Sequence, residues 1–397
     1  MTKYVQHGLK IQSKPDEVAR QNFMLNMRSY VMLDMATGMR KIYDHNIEPK
    51  FKKLNKREPK NGNEIHKTIK KDTYFKFYSS IRCNAQEMVF RSVLPPIERS
   101  IKDLKKKAKV LSKSKKAQGS LKLDKNLSIP KSVSAIDVHL MPGCYHSEHS
   151  ENDMSQGALY DNGVSVFSMG FFGEKLDDIG SSISLFIKKK YPQFKPLKIL
   201  DLGCTVGHNT LPWSKAYPKA EIHALDVGAP VLRYGHARAQ SEGVSVHFHQ
   251  QNAEKTNFKD NSFDLVFSSM FLHEVPSKGI KLVLKEAKRL LKPGGLMLHM
   301  ELPPNKMLDA YNSFYLDWDS YYNKEPYYKP FRDMEPEKVC MKAGFSENKF
   351  VQFIIPSIGQ FGEKEIIKSI KSQNGNVDDR TGRFTKGIHW YCFGSWK

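Results

Sequence analysis

The 397-residue chain contains no apolar run near the ~18 residues needed to span a bilayer as a helix, so no membrane span is expected. Its opening residues, Met1 to His7, lack the apolar stretch of a secretory signal. Cysteine is scarce: five residues, at 83, 144, 204, 340 and 392, show no paired spacing and cannot all pair. A disulfide framework is therefore not indicated, and a cytoplasmic setting is expected. Acidic residues are in deficit, 42 against 63 lysines and arginines, which leaves a net charge of +21. Such an excess can signal nucleic acid, an anionic membrane or an acidic carrier. Its distribution weakens that inference, because residues 101–131 hold 11 lysines against Asp103 and Asp124. That tract has no aromatic residue and no arginine, the residue whose fork best matches phosphate, so it reads as a solvated, partly disordered or helical lysine-rich connector.

What the chain does have is an apolar run, Leu197 to Leu202, that reads as a buried parallel strand and contains an acid, Asp201. The turn Gly203-Cys204-Thr205-Val206-Gly207-His208 follows, and glycine there lets backbone N–H groups approach a ligand closely. A second strand, Glu221 to Asp226, also ends in an acid, placed to accept hydrogen bonds from the hydroxyls of a ribose. A third, Val244 to His249, leads into Asn252-Ala253-Glu254. A fourth is Phe263 to Ser269. Arg289 to Gly295 reads as a helix end and a turn before a fifth, Leu296 to Glu301. Lys349 to Ile355 and Ile388 to Phe393 complete the set, with a glycine- and asparagine-rich loop after Lys371.

From about Pro196 to Lys397 this ordered set resembles the class I S-adenosylmethionine-dependent methyltransferases. The resemblance implies an α/β, Rossmann-like sheet, mostly parallel with an antiparallel last strand, and S-adenosylmethionine as cofactor. It places Asp201, Gly203, Cys204, Thr205 and Gly207 around the methionine moiety, and Asp226 and Val227 at the ribose. Asn252, Ala253 and Glu254 fall near the adenine, and Ser268 at the end of strand four. Thr205 departs from the family, which often has glycine there; a small hydroxyl residue fits if the turn has ordinary dihedrals. The positions Gly203, Thr205 and His208 do not make the G-x-G-x-x-G of a nicotinamide site.

Around this core, residues 1–100 read as a helical N-terminal domain, with apolar positions at helical spacing at Phe23, Met27, Tyr30, Val31, Met35, Met39 and Ile42. Pro95-Pro96 is expected to end its last helix. Residues 101–132 form the connector, 133–195 a lid and pocket segment, and 196–397 the methyltransferase domain with an aromatic insertion at 302–333. In the family the segment before the first strand often covers the cofactor with an aromatic residue, and Tyr160 is the candidate. His139, Cys144, His146 and His149 crowd a Pro-Gly turn without an established zinc spacing, so they read as pocket lining or as a plain structural loop, with a metal site the lesser alternative. The expected acceptor pocket comprises His139, His146, Phe314, Trp318 and Tyr322, since aromatics beyond the strand ends suit an apolar or aromatic acceptor; the insertion's rings can instead, or as well, seal the helical domain onto the methyltransferase domain.

After strand four, Ser269-Met270-Phe271-Leu272 lacks the Asn/Asp-Pro-Pro-Tyr/Phe that grips amide or exocyclic nitrogens, which counts against DNA adenine and glutamine targets. His273 is the candidate general base, because imidazole titrates near neutral pH. The leading expectation is methyl transfer to an oxygen, carbon or nitrogen of a small apolar, aromatic or lipid-like metabolite, free or carrier-bound. The alternative is an RNA or protein methyltransferase using the basic surface, and a third reading is a cofactor-binding protein without catalysis.

Overall fold

The computed structural model describes residues 7–113, 119–371, 381 and 387–397; most of the glycine- and asparagine-rich loop singled out above lies outside them. Eight strands form one sheet: β1 Gly119–Lys122, β2 Lys198–Leu202, β3 Glu221–Asp226, β4 Val246–Gln250, β5 Phe263–Ser269, β6 Leu291–Glu301, β7 Phe350–Pro356 and β8 His389–Trp396. Their order is β1-β4-β3-β2-β5-β6-β8-β7. The pairings from β1 through β6 are parallel, and β8 is antiparallel to both β6 and β7.

Alternation along β2 shows why this sheet is two-sided. Ile199 packs with Ile183, Ile187 and Trp213 on one face, whereas Leu200 and Leu202 pack with Val283, Leu284 and Leu290 on the other. Successive strand residues point to opposite faces, so a run apolar at nearly every position requires helices on both. The helices Asp178–Lys190 and Leu211–Ala216 supply the first layer and Ser277–Leu290 the second. The Pro293-Gly294-Gly295 turn is absorbed into β6, where the pairing with β5 jumps from Phe263↔Leu291 to Leu265↔Leu296.

The N-terminal helices are α1 Pro15–Ser29, α2 Met35–Ile42, α3 Glu48–Asn55, α4 Gly62–Ile69 and α5 Thr73–Leu111. Wider π-turns at Tyr30–Asp34 and Tyr43–Ile47 join the first three into one run. Each π-turn rotates the apolar stripe, so Met24, Val31, Met35 and Met39 are buried while Phe23 and Tyr30 are exposed. The asparagine-like caps of this region are ordinary: Asp72 accepts from the amides of Tyr74 and Phe75 at the start of α5.

Two expectations are corrected here. Pro95-Pro96 does not end α5, which runs through both prolines because Val93, Ile97 and Leu104 remain buried against the core on either side. The lysine-rich tract is also more than a connector: its first part is helical, as one of its readings allowed, but β1 then forms an outer strand of the sheet against β4.

Helix Ala310–Tyr322 of the insertion starts at Asp309, which accepts from the Asn312 amide, and lies along the N-terminal helices. Tyr311, Phe314, Tyr315 and Trp318 share a cluster with Val31, Met35, Met39, Phe75 and Tyr78. Trp318 packs 4.6 Å from Tyr78, ring centre to ring centre, and donates its indole N–H to Ser79 Oγ at 2.9 Å. These rings form the seam between helical region and sheet. No helix among the described residues is long and apolar enough to cross a membrane.

Candidate active site

The strand ends of β2, β3, β5 and β6 open on one cavity of about 220 Å³. At its floor the turn after β2 is drawn onto β3: the amides of Gly203 and Cys204 both donate to Leu225 O, at 2.9 and 3.0 Å. Gly203 has φ +72°, and a Cβ there would sit 2.2 Å from the Phe271 ring, so only glycine fits. Thr205 adopts φ +46°, which corrects the premise that a hydroxyl residue sits there with ordinary dihedrals. A β-branched residue in the left-handed region is strained. What holds it is Asp226, whose Oδ2 accepts from the Thr205 amide at 3.0 Å while Oδ1 accepts from Gly228 at 2.9 Å. Burial pushes the Asp226 carboxyl up to about 6, against the pull of those amides. Burial likewise pushes Asp201 up to about 8, although Thr210 Oγ1 donates to it at 2.5 Å. Two buried carboxyls without a cation beside them suit a ligand that carries both hydroxyls and positive charge.

Tyr160 lines the cavity from helix Ser155–Phe167, stacked 5.7 Å from His208. The next residue, Asp161, fastens this helix. It accepts from Tyr234 Oη at 2.8 Å and is bonded by His208 Nε2 at 2.6 Å and His7 Nε2 at 2.9 Å. Burial alone would raise its carboxyl, and the bonds from His208 and His7 instead hold it well below the usual range. Sequence reading missed Asp161, because its three partners come from distant parts of the chain.

The other end of the cavity is a polar network. Asn323 receives Arg82 Nη2 on its oxygen at 3.3 Å and donates through Nδ2 to Glu325 Oε2 at 3.0 Å and His139 Nδ1 at 2.9 Å. His139 Nε2 lies 3.2 Å from Glu274 Oε1, which also accepts from Tyr145 Oη at 2.7 Å. Arg82 Nε donates to Asp319 at 2.7 Å. His273 stacks 3.8 Å from the Tyr328 ring, with Nδ1 2.5 Å from Glu301 Oε2 and Nε2 3.4 Å from Glu325. Burial would lower its imidazole, yet Glu301 and Glu325 raise it to about 10.

The structure therefore corrects the general-base expectation for His273: held as a cation between two carboxylates, it has no lone pair to offer near neutral pH. It does bring together Tyr160, Asp201, Gly203, Cys204, Thr205, Asp226, Val227, Asn252, Ala253, Glu254, His139 and His273 on the cavity wall. Gly207 is not on the wall; at φ +79° its amide closes the turn onto Cys204 O at 2.8 Å. Ser268 is turned inward, 2.7 Å from the buried His299 Nδ1, and its neighbour Ser269 lines the cavity instead. His146 also misses the wall, as do Phe314, Trp318 and Tyr322, which belong to the seam. The insertion lines the cavity through Asp319, Ser320, Asn323, Glu325 and Tyr328. Among the described residues no three His, Cys, Asp or Glu side chains are grouped as metal ligands.

A methyltransferase-domain family model matches residues 199–295. A ubiquinone/menaquinone biosynthesis C-methyltransferase, UbiE, of Vibrio cholerae is 31% identical over 172 residues, 38% of this chain and 65% of that protein. A malonyl-[acyl-carrier protein] O-methyltransferase of Legionella pneumophila is 26% identical over 196 residues, 49% of this chain and 66% of that protein. The chain thus spans just under two thirds of these relatives' length. Among solved structures, the plantazolicin methyltransferase BpumL in complex with a monoazolic desmethylPZN analog and SAH aligns with TM-score 0.40 and 12% identity, over 62% of this chain and 95% of that one.

Proposed function

We propose, for a chain that belongs to the class I S-adenosylmethionine-dependent methyltransferases through its sheet domain, that it transfers a methyl group to a small-molecule acceptor held in the cavity above β2, β3, β5 and β6. The observation that carries this reading is the continuity of the cavity, which joins the Gly203–Thr205 turn and Asp226 to the polar network of Glu274, Asn323 and Glu325. The residues present fit the cofactor. Asp226 would hold its ribose hydroxyls, the Gly203–Thr205 turn and Asp201 its methionine end, and Asn252 to Glu254 its adenine. When bound it supplies an electrophilic methyl group on a sulfonium.

The chain's own residues then orient and enclose. Tyr160 covers the turn from its helix, and Asp161 pins that helix to His208 at 2.6 Å, so the wall over the turn is fixed in place. Tyr145, Tyr160, Phe271 and Tyr328 exclude water around the acceptor and supply flat apolar walls. An in-line displacement gains most from such orientation, since well-held reactants need little else. The relatives' printed names extend from a quinone-pathway C-methyltransferase to a carrier-protein O-methyltransferase, which supports a metabolite acceptor, free or carrier-bound. The five cysteines are free thiols, in keeping with a cytoplasmic setting.

Methyl-labelled S-adenosylmethionine incubated with the protein and a cell extract, then split into small-molecule, RNA and protein fractions, tests this. Label in the small-molecule fraction is expected. Label confined to RNA or protein would overturn the acceptor class and make the lysine-rich tract a binding surface.

A further inference from the structure

The cavity carries a charge pattern opposite to that of the chain. Although lysines and arginines outnumber acids 63 to 42, no Lys or Arg lines it among the described residues, whereas Asp226, Glu254, Glu274, Asp319 and Glu325 do, beside Asp201, whose carboxyl burial pushes up to about 8. Asp319 and Glu325 have cations at hand, Arg82 at 2.7 Å and His273 at 3.4 Å. Glu274 is different. Its donors are the Tyr145 hydroxyl and His139 Nε2. The Asn323 amide is oriented by Arg82 on its oxygen and Glu325 on its nitrogen, so that nitrogen donates to His139 Nδ1. Burial opposes ionisation of Glu274, and His139, His273 and the Tyr145 hydroxyl together outweigh it and hold the carboxyl below its usual range. Glu274 is a buried carboxylate on the cavity wall, bonded by the Tyr145 hydroxyl and His139.

The same wall has no group suited to deprotonating an unactivated alcohol. His273 is already protonated, and both nitrogens of His139 are engaged. His208 gives Nε2 to Asp161, and burial pushes the phenols of Tyr145 and Tyr160 far up. Toward an unactivated alcohol the carboxylates of the wall are weak bases near neutral pH.

Resting on the methyl-transfer reading above, we propose that the acceptor atom is a neutral nitrogen of a heteroaromatic or arylamine-type small molecule, and that Glu274 stabilises the positive charge this nitrogen acquires. The nitrogen lone pair forms the N–C bond as the C–S bond breaks, and sulfur keeps that pair as a neutral thioether. The positive charge passes from sulfur to nitrogen, and any proton on that nitrogen leaves afterwards to water. No deprotonation has to precede attack. The ring faces of Tyr145, Tyr160, Phe271 and Tyr328 suit a flat cation, and the absence of Lys and Arg from the wall disfavours an acceptor with a carboxylate or phosphate in the cavity.

The test is calorimetric binding of S-adenosylhomocysteine, then, on the loaded protein, of phenyltrimethylammonium, tert-butylbenzene and benzoate. The first two have the same shape and differ in charge. Phenyltrimethylammonium is expected to bind about tenfold or more tighter than tert-butylbenzene, with benzoate weakest. Glu274→Gln should remove most of that preference, and Glu274→Asp, which keeps the charge, should retain part of it. Equal binding of the isosteric pair, tighter benzoate, or a preference undiminished in Glu274→Gln would overturn the proposal. Failure to bind S-adenosylhomocysteine would instead strike the methyltransferase reading, and the isosteric pair can still be compared on the unloaded protein.

Discussion

Replacing Glu301 by glutamine probes the arrangement that sets His273's state. Glu301 has no exposed surface; its Oε1 accepts from the amides of Phe271 and Leu272 at 2.9 and 2.6 Å, and its Oε2 meets His273 Nδ1 at 2.5 Å. A glutamine oxygen can keep the two amides, but its NH2 group then faces the Nδ1–H, donor against donor. The imidazolium is left with Glu325 at 3.4 Å. Breaking a buried pair by removing one partner costs about 3–5 kcal/mol. His273 can limit the loss by releasing its proton, so a cost of roughly 3 kcal/mol at pH 7 is expected. The sign with pH follows from the raised value. In the folded chain His273 keeps its proton up to about 10, while the unfolded imidazole loses it near 6.5. The stabilisation is therefore complete below about pH 6.5 and is lost as pH rises through about 10. Urea unfolding of wild type and Glu301→Gln at several pH values, followed by tryptophan fluorescence, should show a gap that narrows from pH 6 to pH 10. Combined with His273→Gln, the double variant should lose about 2 kcal/mol less than the sum of the singles. A Glu301→Gln cost below about 1 kcal/mol, or a gap constant across pH, would refute the charged pair and restore His273 as a neutral base.

Asp226→Asn should weaken S-adenosylmethionine binding by about 2 kcal/mol, some thirtyfold by calorimetry, and unchanged affinity would remove the ribose contact. For the unmodified chain the affinity should fall as pH drops through about 6, where the buried Asp226 carboxyl takes up a proton and ceases to accept at both oxygens. Thr205→Gly should relieve the strain at φ +46° and change stability by between 0 and about +1 kcal/mol in thermal unfolding; a loss above about 1 kcal/mol would show that the threonine side chain itself holds the turn.

The sheet was legible because β2, β3 and β5 are apolar runs closed by turns, and such a pattern has few other uses. The turn and Asp226 followed from the spacing along those strands. β1 was hidden since Gly119–Lys122 offers one apolar residue, Leu121, in a lysine-rich tract, and an outer strand needs little more. The insertion misled for a geometric reason: Trp318 and Asp319 are neighbours in sequence but lie about 100° apart around a helix. The aromatic stripe therefore faces the seam, and the polar face between the rings reaches the cavity. The state of His273 was beyond reach of local pattern, because Glu301 approaches it only through the pairing Ser269↔Met300, which sets the end of β6 beside the turn after β5. Thr205 was misjudged for want of its dihedral, which no residue type reveals.

The strand order has a consequence for how the molecule is made. β8, residues 389–396, lies between β6 and β7, and among the described residues it is the one sheet partner of β7. As the chain leaves the ribosome, β6 and β7 emerge first and must wait with facing edges unpaired until β8 arrives and slots between them. During that interval both present exposed hydrogen-bonding edges to neighbouring nascent chains. A stop codon or a nick ahead of residue 389 would cost the sheet two strands rather than one, leaving the apolar β7 without a ladder to join.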